Sequence, residues 1–444
     1  MYTKQIRSEL IKGWSNYPSI QAKVFRPEKI RDLASIMTGS TTTILARGGG
    51  TSFGDSSIND TGINIDTRRL NKFLNFNEEI GLLHCQSGVT LLDVASVFIP
   101  RGWFLHVTPG TQFATVGGCV ATDAHGKNWK AGSFCHFVKG FHLMLHDGNI
   151  IYCDDKNNRD IFFSTVGGMG MTGIVVDVFV YLKRIYSSQI DTETIRCRNL
   201  EECFALQHES MDGYEYMFYW LDTHKEGVGM GRGVLQRANH SLTGTLTCNR
   251  KRRFNVPFYL PNVTVNKYSV EVFNNVYYAI SRNKSRKCAD ILEFFYPLDS
   301  ISNWYRVYGK RGYLEYQIVV PFDGAYQAIF EILTLVSKSK LASNVAAVKP
   351  LMNAKGMLSF PMDGMTLAVD FKIDQRLWKL LDQLDEIVVS NGGRVYLAKD
   401  ARLSSKNFKL MYSKSLEGWE AIIKSYKCEG KFSSMMFSRF FLDA

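Results

Sequence analysis

Ala46-Arg47-Gly48-Gly49-Gly50-Thr51-Ser52-Phe53-Gly54-Asp55-Ser56 follows the β-branched run Thr41-Thr42-Thr43-Ile44-Leu45. The glycines therefore form a loop at the end of a strand. Consecutive glycines adopt backbone angles barred to other residues and can aim several N–H groups at one point. Thr51, Ser52 and Ser56 add hydroxyl donors, so the loop has the makings of a diphosphate cradle. No Gly-Lys-Ser/Thr follows, which excludes a P-loop. An ordinary glycine-rich turn is the plain alternative.

Two further glycine elements lie downstream. Pro109-Gly110-Thr111 leads to Thr115-Val116-Gly117-Gly118-Cys119-Val120-Ala121-Thr122-Asp123-Ala124-His125-Gly126-Lys127-Asn128. There the side chains are small enough for the backbone itself to approach a large flat ligand. Gly168-Met169-Gly170-Met171-Thr172-Gly173 matches G-x-G-x-x-G in form, but a dinucleotide fingerprint must open a helix. The residues after it, Ile174 to Leu182, are β-branched and aromatic and read as a strand. As a Rossmann signal the motif fails; as a second glycine turn against another cofactor it remains useful.

The chain has 444 residues, too many for one ordinary core, which predicts two lobes. Hydrophobic residues at 45% and charged residues at 21% exclude disorder. The formal charge of +11 fits a basic soluble protein, an anionic ligand or a membrane surface. No zinc-finger spacing or basic helix supports nucleic acid as a partner. The nine cysteines are dispersed, with no C-x-x-C pair and no histidines at metal spacing. Reduced thiols in the cytosol, and no metal, are expected. The first residues lack the apolar core of a signal peptide, and Ile174–Leu182 is too short to span a bilayer.

Ile63–Asp66 and Tyr313–Val320 alternate as strands, and Leu91–Ile99 and Tyr326–Val336 follow a helical period. Asp374 is placed to cap a helix carrying Leu377, Leu381, Leu384 and Val388, with Asn391-Gly392-Gly393 as its stop. Arg394 to Lys399 reads as a short strand with Val395, Leu397 and Lys399 on one face.

Three glycine elements without Rossmann geometry resemble the FAD-binding fold of the vanillyl-alcohol oxidase superfamily. The resemblance narrows with Ala124-His125-Gly126-Lys127-Asn128, Thr165-Val166-Gly167-Gly168, Phe295-Tyr296-Pro297, Tyr316-Gln317, Ser359-Phe360-Pro361 and Gly393-Arg394-Val395-Tyr396-Leu397-Ala398-Lys399-Asp400. In that order they resemble the flavin oxidases of polyprenyl-phosphoryl pentoses over nearly the whole chain.

The resemblance implies an α+β, two-lobed protein. Its PCMH-type FAD-binding domain comprises about 1–190, completed by about 391–444, and a cap or substrate domain on an antiparallel sheet comprises 191–390. Arg47, Gly48, Gly49, Gly50, Thr51, Ser52, Phe53, Gly54, Asp55, Ser56 and Ser57 would wrap the FAD diphosphate. Gly110, Thr115, Val116, Gly117, Gly118, Thr122, Asp123, Ala124 and His125 would continue along the cofactor, with Val175 and Tyr396 as further flavin contacts. Lys399 would sit beside the flavin N1–C2=O edge and, with His125, serve catalysis; His125 is the first candidate base. Gln317, Glu315, Lys349, Phe295, Thr366, Ala368 and Lys127 would line the substrate pocket.

The family's pocket has Asn and Cys where Thr366 and Ala368 stand, Gln in place of Glu315 and Tyr in place of Phe295. A carboxylate close to a sugar phosphate is a considerable electrostatic change. No histidine occurs between Arg47 and Asp60, where relatives attach FAD covalently, so noncovalent FAD is expected.

The implied reaction oxidises a secondary hydroxyl, the 2′-OH of a lipid-linked pentose. A short-chain reductase would then complete an epimerisation for cell-envelope glycan synthesis. An aldonolactone or other sugar oxidase, and a noncatalytic flavin- or lipid-binding protein, are the alternatives. The expected location is cytoplasmic, with a peripheral contact at the inner face of the cell membrane. Arg250-Lys251-Arg252-Arg253 before Phe254-Asn255-Val256-Pro257-Phe258-Tyr259-Leu260-Pro261 suggests that contact; a solvated surface loop is the plain reading.

Overall fold

Alternating and β-branched stretches pair into three main sheets in the computed structural model, which describes residues 6–247 and 254–442. Arg250 to Arg253, the basic cluster singled out above, lie outside the described residues. The first sheet orders Arg7–Lys12, Ser19–Phe25, Ile63–Asp66 and Ile44–Arg47; its first pair is antiparallel and the others are parallel. In the second, Ile174–Arg184 runs centrally between Leu82–Gln86 and Val138–Met144. That central position explains its near-continuous apolar sequence and confirms a strand after Gly173.

The third sheet has eight antiparallel strands, in the order Ser285–Asp290, Gln189–Cys197, Gly233–His240, Tyr216–Leu221, Ala342–Leu351, Gly364–Lys372, Tyr313–Pro321 and Arg394–Val395. Its two faces divide the labour. Ile318, Leu367, Val348, Tyr219 and Leu235 share one face and are fully buried. Helices Ala325–Ser339 and Gln375–Ser390 join them in the same core. Asp374 caps the second helix by accepting from Arg376 N–H, as its sequence predicts. Burying each large aliphatic there contributes roughly 1.5–3 kcal/mol.

The other face carries Glu315, Gln317, Thr366, Ala368, Lys349 and Trp220, brought side by side by the registers Gln317↔Ala368, Lys349↔Thr366 and Trp220↔Ala347. Sheet pairing thus collects residues some 150 positions apart onto one surface.

One expectation fails. The strand at Arg394 ends at Val395, and Leu397, Ala398 and Lys399 form a turn. Lys399 N–H donates to the Tyr396 carbonyl at 2.9 Å, so Lys399 does not share a strand face with Val395 and Leu397. The reason is tertiary: this segment leaves the sheet to meet the glycine loop.

Candidate flavin and substrate site

The glycine loop leaves strand Ile44–Arg47 and is held at both ends. The Arg47 guanidinium donates to the Lys12 carbonyl at 2.6 Å, and to the Ser57 carbonyl and hydroxyl at 2.9 and 2.8 Å. Burial lowers its pKa to about 10, which leaves it protonated at neutral pH. Arg47 therefore shapes the loop.

Two glycines are forced by close approach. A Cβ on Gly48 would meet Thr115 Oγ1 at 2.1 Å, and one on Gly54 would meet the Asp400 carbonyl oxygen at 1.5 Å. The loop is thus wedged between the Thr115 segment and the Lys399 turn. Among the described residues, the N–H groups of Gly49, Gly50, Thr51 and Ser52 find no acceptor within the chain, and the buried Ser56 hydroxyl has no partner. Unpaired donors on four consecutive residues of a glycine loop fit a diphosphate.

The second glycine element continues from there. Thr115 caps helix Val116–Thr122 by accepting from Gly118 N–H at 3.2 Å, and Thr122 Oγ1 donates back to the Gly118 carbonyl. Asp123, at φ 42°, accepts from Cys135 N–H and from Ser359 Oγ, which fixes the backbone that presents Ala124 and His125. Gly110 has open space around it, and Val175 lies buried in the central strand opposite Leu143.

The turn carrying Lys399 docks on the glycine loop directly. Phe53 N–H donates to the Ala398 carbonyl at 2.9 Å and Asp55 N–H to the Asp400 carbonyl at 3.3 Å. Lys399 Nζ pairs with Glu315 and lies 4.9 Å from the Phe53 ring. Underneath, Arg439 of the C-terminal helix bonds both oxygens of Asp55 at 3.0 Å and pairs with Asp400 at 2.9 Å. Asp55 is thus a structural group, and Arg439 a partner that its distance in sequence conceals.

His125 faces this turn. Its ring centroid lies 5.2 Å from that of Tyr396 and 5.5 Å from that of Phe360. Gln317 Nε2 donates to His125 Nε2 at 3.1 Å and to Thr366 Oγ1 at 2.9 Å, and Thr366 Oγ1 donates to the Ile318 carbonyl at 2.7 Å. Because the threonine proton is spent on Ile318, the nitrogen of Gln317 must face it, and His125 Nε2 must be the acceptor. The ring proton then sits on Nδ1, which is buried without a partner. Burial, with Lys349 and Lys399 nearby, keeps His125 neutral by holding its pKa well below the usual value.

Lys349 donates to the Gly126 carbonyl at 2.7 Å, and Lys127 to the Phe294 carbonyl. Burial lowers both ammonium pKa values to about 7; for Lys349 the charges on Lys399 and Lys127 add to the effect. Phe295, expected to line the pocket, packs against Phe104 and Tyr216. Its neighbour Phe294 meets the Lys127 ammonium at 4.4 Å. Asp370, opposite Glu315 across the strand pair, was not singled out from sequence. Burial and then Glu315 push its carboxyl well above the usual range. Alternation along Thr366, Ala368 and Asp370 was the available signal.

Residues 21–154 match the FAD binding domain family. Over 409 residues the chain is 30% identical to decaprenylphosphoryl-beta-D-ribose oxidase of Mycolicibacterium smegmatis, covering 89% of this chain and 88% of that one. An uncharacterized protein of Streptomyces coelicolor is 26% identical over 73% of this chain and 92% of its own. D-arabinono-1,4-lactone oxidase of Candida glabrata is 22% identical over 51% of this chain and 44% of its own. This chain belongs to the family of FAD-dependent oxidoreductases that includes decaprenylphosphoryl-beta-D-ribose oxidase, and FAD is its cofactor.

Proposed function

We propose that the protein oxidises a secondary hydroxyl of a phosphate-bearing, lipid-linked pentose, its 2′-OH, as the first half of an epimerisation that a separate short-chain reductase completes. The observation that carries this reading is a run of three lysines at the site: Lys399 and Lys349 act on His125, and Lys127 lies next to Lys349. FAD, when bound, accepts the hydrogen and electron pair of the carbinol C–H.

The chain's own residues supply the rest. Gly49 to Ser52 hold the diphosphate, and Lys399 places a positive charge at the flavin end of the loop. Lys127 and Lys349 receive the substrate phosphate. Oxidation also releases the hydroxyl proton, and His125, held neutral, is the group that accepts it. To take it on Nδ1, His125 carries its own proton on Nε2, which requires the Gln317 amide to turn so that Oε1 accepts from Nε2–H and from Thr366 Oγ1, the latter leaving the Ile318 carbonyl. Tyr396 and Phe360, stacked at 4.6 Å, wall the site on one side.

One observation favours the second reading, an oxidase of free aldonolactones: Glu315 pairs with Lys399 and cancels one of the three charges. Proton uptake separates the two. At pH 8, amines with pKa values near 7 are mostly neutral, and a bound phosphate draws them back to the charged form. Calorimetry of a short-chain prenyl-phosphoryl pentose in buffers of different ionisation enthalpy should show net uptake of about one to two protons. Tight lactone binding without uptake, and no binding of the phospho-sugar, would overturn the proposal.

The cofactor is proposed to be noncovalent, since the cradle offers no histidine. Acid or heat precipitation should leave all the yellow colour in solution; colour that pellets with the protein contradicts this.

A further inference from the structure

Helix Lys267–Ile280 is apolar on the side that none of the other described residues covers. Asn266 caps it by accepting from Tyr268 and Ser269 N–H, and it is anchored by buried Val270 and Asn274, the latter donating to Asp222 at 2.7 Å. Tyr277 packs on Trp220 at 4.6 Å. Outward, Tyr268, Val272, Val276 and Ile280 recur every four residues and are 67%, 63%, 52% and 69% exposed. Phe273 lies beside them, and Phe254, Phe258 and Val263 of the preceding segment are also exposed. Scattered exposed apolar residues are ordinary; a continuous stripe along a capped helix is not.

Charge singles out one occupant. Lys267, Arg282, Lys284, Arg286 and Lys287 flank the stripe and are all exposed. The helix's one acid, Glu271, turns inward toward His224 and Lys340. Apolar residues ringed by cations complement an anionic lipid surface. A second copy of the same positive surface would instead be repelled.

The stripe also adjoins the site. A groove of about 270 Å³ lies between the helix and the sheet, lined by Tyr277, Ile280, Phe218, Trp220 and Val234 and by six polar or charged residues, Arg282 and Lys287 among them. Phe218 lies 5.2 Å from the Lys127 ammonium. Phe218 and Trp220, two residues apart on one strand, share the face that carries Lys349 and Gln317.

We propose that the outer face of helix Lys267–Ile280 rests on an anionic lipid surface, and that the groove beneath it passes the apolar chain of a lipid-linked substrate to Lys127. The docking stands by itself; the delivery of substrate rests on the function proposed above.

The FAD-loaded protein should co-sediment with vesicles containing about one-third phosphatidylglycerol at least about tenfold better than with phosphatidylcholine alone, and release as salt rises. Val272→Glu with Val276→Glu, two exposed positions outside the site, should lower that binding about tenfold or more while FAD content is kept. The same variant should reduce its flavin normally with a short-chain, water-soluble prenyl-phosphoryl pentose, but slowly with a long-chain substrate embedded in vesicles. Unchanged vesicle binding overturns the docking. So does a shift from dimer to monomer on sedimentation without any vesicle binding, which would make the stripe a contact between copies. Loss of vesicle binding with equal rates on both substrates overturns the delivery. Failure of the short-chain compound with wild type overturns the function alone and leaves the docking result standing.

Discussion

Lys399→Met should lower the two-electron potential of the bound FAD by as much as about 90 mV and still give a folded, FAD-loaded protein. The proposed place for this ammonium is beside the flavin N1–C2=O edge, where negative charge gathers on reduction. At about 4 Å and an effective dielectric near 20, the attraction is roughly 4 kcal/mol. About 1.4 kcal/mol corresponds to about 30 mV for a two-electron couple. If half of that energy is felt in the transition state, about 2 kcal/mol, reduction by substrate slows about thirtyfold. The ion pair with Glu315 adds a second expectation. Removing the lysine leaves a carboxylate beside the flavin and next to Asp370, so Glu315→Gln in the Lys399→Met background should recover part of the lost potential. Potentiometric dye titration and anaerobic rapid mixing check both. A wild-type potential in Lys399→Met would make the residue a turn lysine without a part in the chemistry.

Arg439→Met should have the largest effect on stability, about 3–5 kcal/mol, because it strands two buried carboxylates, Asp55 and Asp400. It should also loosen FAD, since those aspartates belong to the loop and the turn that touch across Gly54. The pH dependence has a definite sign. Burial pushes Asp55 from 3.8 up to about 6 even with Arg439 beside it. The folded state therefore binds more protons than the unfolded chain between about pH 4 and 6, and this group's contribution to stability falls as pH rises through that window. Without Arg439 the carboxyl rises further, so the loss of stability should be smaller at pH 5 than at pH 8. Denaturant unfolding at the two values measures it; an equal loss at both would contradict the buried triad.

Much of this site was legible in the sequence because local rules coincide with the fold. The glycine loop announces its strand and turn, and the strand after Gly173 rules out a Rossmann helix. The Asp374 cap fixes the helix that packs behind the sheet. What stayed hidden depends on contacts between distant segments. Val395 and Leu397 alternate as a strand would, yet Lys399 turns away because Phe53 and Asp55 N–H groups claim the Ala398 and Asp400 carbonyls. Arg439 lies 384 residues from Asp55, with no local signal to join them. The proton position on His125 follows from Thr366 and Ile318, two residues whose types alone say nothing about tautomers. In the second sheet, His84 and His142 both reach Asp177 Oδ1, at 2.9 and 2.7 Å, across strands whose spacing in sequence suggests no cluster. The exposed stripe on helix Lys267–Ile280 was missed for a different reason: an apolar helical period reads as core until the neighbours are known.

The most direct test of the central claim is anaerobic mixing of the FAD-loaded protein with a prenyl-phosphoryl pentose, followed at the oxidised flavin band. Complete bleaching at a rate that saturates with substrate, with a 2-keto sugar as product and little bleaching by free aldonolactones, is the predicted result. Bleaching by the lactones alone, or by neither, would contradict it.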